Sequence, residues 1–284
     1  MVELGQIAFN IASLAAILIM LSIGLQLVAG LLGVINIAHG ELVLVGAYTV
    51  YTLSLVNLSP WWGLLAAPLA VGLLALILDR GLIRFLYERP VDALVMTWAL
   101  SIFIRQGTQL VFGGFQHSVP DPIAGTVEVL GLLLPRWRLL IIGIGLATLL
   151  GVQVALNRTL LGLQIRAAVA NRDLALSMGI NVDRLFSLTF IGAAMLAGLA
   201  GSLLAPITAV SPQLGISYLL PSFFVVVLAG FGSILGLVVG AAIIGGLQTV
   251  LSLVFDPVIG QILVLIFAFF FIQRRSRASV AVGI

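Results

Sequence analysis

Cysteine and lysine are both absent from this sequence of 284 residues, and histidine occurs only at His39 and His117. Without cysteine the chain can form neither a disulfide nor a thiolate metal site, and two distant histidines are too few for a histidine-based metal site. Without lysine it cannot supply the Gly-Lys-Ser/Thr loop that holds nucleotide phosphates, nor a Schiff-base amine. We therefore expect no cofactor or metal in this chain, and any ATP and Mg²⁺ must be bound by a partner.

Charged residues are scarce: they make up 8% of the chain, whereas a soluble domain has about 25%. Hydrophobic residues make up 62%, and they recur in runs of roughly 17–25 residues, the length that crosses a bilayer as a helix. The composition therefore predicts an all-α polytopic membrane protein with a single transmembrane domain over residues 1–284 and about eight membrane segments. The apolar runs are 7–30, 42–57, 63–78, 93–112, 139–156, 185–207, 235–255 and 258–272, with a shorter one at 219–230.

All 13 basic residues are arginine, and most of them fall in three segments, 79–92, 157–184 and 273–277. Short arginine-bearing loops stay on the cytoplasmic side of a membrane, so all three segments are predicted to be cytoplasmic. The same bias accounts for the net charge of +3 without a nucleic acid partner. The run at 219–230 is too short to cross as a helix. It is predicted to dip into the membrane, which leaves three spans after residue 184. A cleavable signal peptide is not expected, because no basic region precedes the long first run.

Two polar, helix-breaking segments lie beside apolar runs, at residues 36–41 and 211–222. Broken backbone at membrane depth persists only where protein or a water-filled cavity satisfies it, and paired breaks in two halves of a transporter mark its binding site. Their polar residues are therefore predicted to line a translocation pathway. An alternative is that Asn36, His39 and Glu41 only bond the exposed backbone of the break or lie at the interface. The residues are Asn36, His39, Glu41, Gln213, Ser217 and Ser222.

Two further features concern the packing of the membrane segments. Arg105 lies inside an apolar run, where it either snorkels to an interface or pairs with an acid that the sequence does not identify. Ala193, Ala197, Gly198 and Gly201 place small residues at helical spacing, which predicts close contact between helices.

The segment 157–184 is the longest polar interruption in the chain. Asn171 can cap a helix, Asp173 suits its first turn, and Gly179 can end it in the left-handed conformation. This pattern predicts a short helix outside the lipid, either an amphipathic helix on the membrane surface or a coupling helix that docks into a soluble ATPase. We favour the coupling helix within a cytoplasmic loop. Its predicted contact residues are Asn171, Arg172, Asp173, Leu174, Leu176, Met178 and Gly179.

Four stretches resemble the permeases of ATP-binding cassette (ABC) importers for branched-chain amino acids and their relatives. They are 34–42, 162–184, 188–201 and 227–236, and the resemblance extends in order over nearly the whole chain. It implies a multi-pass permease of the bacterial inner membrane rather than an enzyme. It also implies three kinds of partner: a second related permease, two cytoplasmic ATPase subunits that bind ATP and Mg²⁺, and a periplasmic solute-binding protein.

The sequence is compatible with two classes of substrate, amino acids and small amides such as urea. Residues 84–90, 97–98, 211–218 and 271–274 are closer to the branch of the family that carries urea or short amides, although Ile216 stands where that branch has glutamine. Branched-chain or neutral amino acids and urea or short amides are both retained. An intramembrane enzyme is disfavoured because His-Glu-x-x-His and Gly-x-Ser-x-Gly are absent. A stand-alone secondary transporter would explain the broken helices but not a docking helix.

Overall fold

A computed structural model describes residues 2–32, 36–86, 89–129, 131–230 and 232–281. Within these ranges the chain forms eleven α-helices and one antiparallel β-hairpin. Part of the stretch 34–42 that resembles the permease family lies outside the described residues. The elements are α1 (Val2–Leu32), α2 (His39–Leu55), α3 (Gly63–Gly81), α4 (Pro90–Phe112), β1 (Thr126–Val129), β2 (Leu132–Pro135), α5 (Arg136–Arg158), α6 (Leu160–Ala170), α7 (Arg172–Ser177), α8 (Val182–Leu204), α9 (Leu214–Ala229), α10 (Ile234–Val254) and α11 (Pro257–Ala281).

The helices coincide with the predicted apolar runs. Five of the described helices, α1, α3, α5, α8 and α10, are long and apolar enough to cross a membrane. Helices α2, α4, α9 and α11 pack beside them in the same bundle. The resulting nine helices agree with the prediction of an all-α polytopic membrane protein with about eight segments, some of them shorter than a full span.

The stretch 113–138, which the sequence indicates as a loop, contains the β-hairpin. Thr126 pairs with Pro135 and Val129 pairs with Leu132. At the turn, Gly131 has a φ of 79°, in the left-handed region that glycine adopts without strain. Valine at alternate positions, Val127 and Val129, followed by a glycine turn is typical of a β-hairpin. The prediction of a loop did not take this pattern into account.

Helix α8 lies at the centre of the bundle, packed against α1, α2 and α3. A Cβ built on Gly198 would lie 2.8 Å from the carbonyl oxygen of Ala67 in α3, and one built on Gly46 in α2 would lie 2.5 Å from that of Gly198. Ala193 and Ala197 are also buried. The predicted role of small residues in close helix packing is therefore confirmed, since only such side chains let backbones approach this closely.

Gly201 provides a test of this packing. A methyl group there would contact the carbonyl oxygen of Val43 and lie 2.9 Å from the amide nitrogen of Ala47, and both are backbone atoms that cannot rotate away. We expect Gly201→Ala to destabilise the protein by about 1–3 kcal/mol, the usual cost of overpacking. Thermal unfolding of the detergent-solubilised protein measures this as a lower Tm. Gly192→Ala in the same helix is the control, because its Cβ would meet no atom within 4 Å. Equal Tm values for the two variants would contradict the argument.

Contacts between helix ends define two ends of the bundle. Near the start of α1, Asn10 accepts a 2.7 Å hydrogen bond from Arg138 of α5, and Gly5 packs against Leu132 of the hairpin. Near its end, Gly30 faces Val169 of α6. We call these the hairpin end and the arginine-rich end, and α1 begins at the hairpin end.

The three arginine-bearing segments lie at the same end of the bundle. Ser187 near the start of α8 donates a hydrogen bond to the buried carboxylate of Asp79 near the end of α3, so the segment 79–92 adjoins the segment 157–184. Helix α11 packs antiparallel to α10, with Gly260 against Leu251, and so returns residue 273 to that end as well. This common placement is the one that a positive-inside topology requires.

The chain passes between the two ends four times after residue 184, not three times as predicted. Helix α9 begins inside the bundle and ends beside α1, where Gln26 donates a 2.9 Å hydrogen bond to the carbonyl of Gly230. Residues 205–213 and α9 together therefore make one crossing from the hairpin end to the arginine-rich end. The prediction was wrong for two reasons. It counted only the apolar run 219–230, whereas the helix begins at Leu214, and an odd number of spans cannot join two segments that are both cytoplasmic. Four passages return the C-terminal arginines to the side from which α8 starts.

Helices α2 and α9 both begin in the interior and run to opposite ends. Gly40 and Gly215, each in a first turn, are so close that a Cβ on Gly40 would lie 2.5 Å from the carbonyl oxygen of Gly215. From this junction α2 extends to Val50, which packs on Gly63 at the hairpin end, whereas α9 extends to Gly230 at the arginine-rich end. The paired breaks are therefore present and adjoin each other, although both are shorter than predicted: α2 already begins at His39 and α9 at Leu214.

The prediction that residues 211–222 are broken backbone is wrong for Ser217 and Ser222, which lie within α9. Pro221 inside this helix lacks the N–H that would bond the carbonyl of Ser217. That carbonyl instead accepts a 3.3 Å hydrogen bond from Nε2 of Gln261 in α11. A side chain from a neighbouring helix thus satisfies the freed group, which is how proline is tolerated at membrane depth.

Candidate functional site

Helices α6 and α7 form a protrusion at the arginine-rich end, and each has a side-chain cap. Thr159 accepts a hydrogen bond from the N–H of Gly162, and Oδ1 of Asn171 accepts a 2.9 Å hydrogen bond from the N–H of Leu174. Asp173 lies in the first turn of α7, and Gly179 follows the helix with a φ of 80°. The cap, first-turn and stop residues predicted from the sequence therefore have these positions in α7. The sequence analysis did not predict α6 as a separate helix.

The two leucines of α7 and Met178, which directly follows this helix, are exposed rather than packed into the chain. Leu174 is 60%, Leu176 48% and Met178 71% exposed, whereas Ala175 between them is buried. A cavity of about 430 Å³ lies beside Met178, between α6 and the start of α8. Three large apolar side chains are thus exposed within five residues of one another.

The orientation of α7 is held by contacts to α8. A guanidinium nitrogen of Arg172 lies 3.9 Å from the carboxylate of Asp183, and the guanidinium lies 5.8 Å from the centre of the Phe186 ring. Oδ1 of Asn181 caps α8 by accepting a 2.9 Å hydrogen bond from the N–H of Arg184. These contacts join α7 to α8, the central helix of the bundle.

The six residues predicted for the pathway fall into two groups. Asn36, His39, Glu41 and Ser222 are buried, whereas Gln213 and Ser217 at the start of α9 are exposed. The six therefore do not line one common open surface in this conformation. The buried group includes direct backbone contacts: Asn36 accepts a 3.0 Å hydrogen bond from the N–H of Ala38, and Ser222 donates a 2.7 Å hydrogen bond to the carbonyl of Tyr218.

Arg105 has a partner that the sequence could not identify: the carboxylate of Glu41. One oxygen of Glu41 accepts hydrogen bonds from Nη2 of Arg105 at 2.9 Å and from Nε at 3.2 Å. The same oxygen accepts a 2.9 Å hydrogen bond from Ser101, which is one turn before Arg105 in α4. The other oxygen lies against Gly215 at the start of α9. Glu41 thus links α2 to α4 at the junction where α2 meets α9.

The described residues contain no group of three or more histidine, cysteine, aspartate or glutamate side chains that could hold a metal ion. The polar groups near the junction are the Glu41–Arg105 ion pair, the imidazole of His39, amides, hydroxyls and two helix N-termini. Such an arrangement can recognise or exclude a small solute, and it can separate when helices move.

Comparison with known proteins identifies the family. The family described as "Branched-chain amino acid transport system / permease component" matches residues 7–272. The chain belongs to this permease family. It is 28% identical over 254 residues to the high-affinity branched-chain amino acid transport system permease protein LivH of Escherichia coli, which covers 84% of this chain and 82% of the relative. No solved structure matches the chain.

Two more relatives extend this comparison. The permease protein BraD of Pseudomonas aeruginosa, from a high-affinity branched-chain amino acid transport system, is 26% identical over 80% of this chain and 79% of its own length. A probable LivH of Methanocaldococcus jannaschii is 28% identical over 81% of this chain and 75% of its own length. The protein is therefore a multi-pass inner-membrane permease subunit of an ABC importer and not an enzyme, as the resemblance in its sequence indicated.

Proposed function

We propose that this permease translocates branched-chain or similar neutral amino acids, delivered by a periplasmic binding protein and driven by two ATPase subunits in trans. The single observation that carries the coupling part is helix α7, with Leu174, Leu176 and Met178 exposed at the arginine-rich end. The substrate class rests on the relatives, which are named for branched-chain amino acid transport.

The coupling argument depends on chemistry that the chain lacks. Lysine is absent from the sequence, so the phosphate-binding loop of an ATPase cannot be built here. A capped helix with exposed apolar side chains, tied to α8 through Arg172, Asp183 and Phe186, provides a lever for an external ATPase. ATP and Mg²⁺ belong to that partner in this proposal.

A second permease subunit has a suitable surface on α5. Gly143, Ala147, Gly151 and Ala155 recur every fourth residue along this helix, and all four are exposed. A Cβ on Gly143 or Gly151 would meet no atom of this chain within 4 Å. Small residues at this spacing let two membrane helices approach closely. The stripe supports pairing with a related permease through α5.

The junction of α2 and α9 suits the carboxylate of an amino acid. Helix N-termini carry partial positive charge, and half-helices in transporters present these ends to anionic substrate groups. Gln213 and Ser217 at the exposed start of α9 add polar side chains beside that junction. We assign the pathway to this region, with Asn36, His39, Glu41 and Ser222 buried behind it.

Reconstitution tests the proposal as a whole. The permease, co-expressed with neighbouring ATPase and permease subunits, is placed in proteoliposomes with the binding protein outside. We expect leucine with the binding protein to raise ATP hydrolysis several-fold, with urea and acetamide as comparison solutes. Stimulation by urea alone would move the substrate to the amide branch. Leucine uptake by vesicles that contain only this chain would refute the coupling part of the proposal.

A further inference from the structure

A cavity of about 650 Å³ lies at the arginine-rich end, away from the junction and from the exposed face of α7. Four elements surround it: the end of α1, the end of α5, helix α6 and the start of α10. Its walls are mostly apolar, with Leu27, Leu149, Leu156 and Val238 among them. Its volume lies within the range of small-molecule sites, roughly 300–1,000 Å³.

The polar groups of this cavity are concentrated near α6. Arg166 is the charged residue of the lining, and Gln153 and Asn157 of α5 lie beside it. Nη1 of Arg166 donates a 3.2 Å hydrogen bond to Oδ1 of Asn157, a neutral partner. The lining contains no carboxylate among the described residues, so the cavity carries a net positive charge at one side and apolar walls at the other.

This distribution fits the position of the cavity in a membrane. By the positive-inside rule, the arginine-rich end faces the headgroups of the inner leaflet, and α5 and α10 extend from that end as membrane spans. Leu235, in the first turn of α10, is 79% exposed at the mouth of the cavity. A ligand here therefore needs an anionic head near Arg166 and apolar chains between α5 and α10.

We propose that this cavity binds one anionic phospholipid, with its phosphate on Arg166 and its acyl chains along Leu149, Leu156 and Val238. An amino acid fits less well, because the lining offers a cation for its carboxylate but no acid for its ammonium group. The bound lipid would join α6, and through it α7, to α1 and α10. The site does not depend on the identity of the transported solute.

Native mass spectrometry tests the site. The full chain in detergent is mixed with phosphatidylglycerol or phosphatidylcholine of equal chain length, and the lipids that it retains after release from the detergent are counted. We expect one retained phosphatidylglycerol, held about tenfold more tightly than phosphatidylcholine. Both lipids have a phosphate that can bond Arg166, but the choline ammonium cancels that charge and would be repelled by the guanidinium, whereas phosphatidylglycerol keeps a net negative charge. Arg166→Gln should remove this preference. Arg158→Gln is the matched control, since Arg158 is exposed at the same end but does not line the cavity.

A second measurement places the acyl chains. The chain has no cysteine, so Leu235→Cys provides a unique site for a fluorescent label. Brominated phosphatidylglycerol should quench that label more than brominated phosphatidylcholine, whereas a label at Leu133→Cys in the hairpin should be quenched equally by both. Equal retention of the two lipids by the unmodified chain, or equal losses in Arg166→Gln and Arg158→Gln, would overturn the proposal. Displacement of the lipid by leucine would also overturn it and assign the cavity to the transport path.

Discussion

Replacing Leu174 and Met178 together by aspartate is expected to abolish association with the ATPase subunits and with it all solute-stimulated ATP hydrolysis. Both side chains are exposed on α7, so the change leaves the internal packing of the permease intact. Two carboxylates at an apolar contact would have to be desolvated without partners, which costs several kcal/mol. Because each 1.4 kcal/mol is tenfold in affinity, we expect a loss of at least about a hundredfold.

Co-purification of the ATPase through a tag on the permease measures this loss, and membrane insertion is followed separately by the yield of folded permease. Leu133→Asp is the control: Leu133 is also an exposed leucine, but it lies in the hairpin at the opposite end. We expect that variant to retain the ATPase. If the complex of the double variant still assembled, the contact would lie elsewhere on the protrusion, and α6 would be the next candidate.

Arg105→Met is expected to cause the second large effect, because it leaves the carboxylate of Glu41 buried without its counter-charge. Glu41 is 1% exposed, and the side chain of Arg105 is 23% exposed. Breaking a buried pair by removing one partner typically costs 3–5 kcal/mol, and the partial exposure of Arg105 favours the lower limit, about 3 kcal/mol. The Tm of the purified permease should fall markedly, and transport should fall with it.

The double variant Glu41→Met/Arg105→Met separates the ion pair from simple packing. Replacement of a buried pair by apolar side chains of similar volume is often neutral, so we expect the double variant to regain most of the lost stability. Arg80→Met, at an exposed arginine near the end of α3, should change the stability by less than about 0.5 kcal/mol. A double variant as unstable as Arg105→Met would show that the pair does not act as a unit.

Much of the fold follows from the sequence because a membrane helix is a local feature. Three predicted features depend only on residues a few positions apart: the length of the apolar runs, the small residues of α8 and the caps of α7. The structure shows all three at the predicted positions. The family, too, was evident from stretches such as 162–184. The coupling role of α7 remains a prediction that the experiment above addresses.

Other features could not be predicted because they depend on contacts between distant parts of the chain. Arg105 and Glu41 are separated by 64 residues, and no local pattern connects them. The carbonyl of Ser217 is satisfied by Gln261, 44 residues later, so Pro221 was counted in the predicted break 211–222 although it lies inside α9. The fourth passage after residue 184 did not depend on such contacts: it was missed because the apolar run was counted from residue 219 although α9 begins at Leu214.

The meeting of α2 and α9 has a consequence for the electrical insulation of the membrane. Two helix N-termini contribute about half a positive charge each at the junction, and Arg105 offsets the charge of Glu41 there. The centre of the protein is therefore electropositive. Positive ends of half-helices repel cations and protons in membrane pores. We therefore expect the pathway proposed at this junction to admit a neutral or carboxylate-bearing solute while it excludes cations and protons.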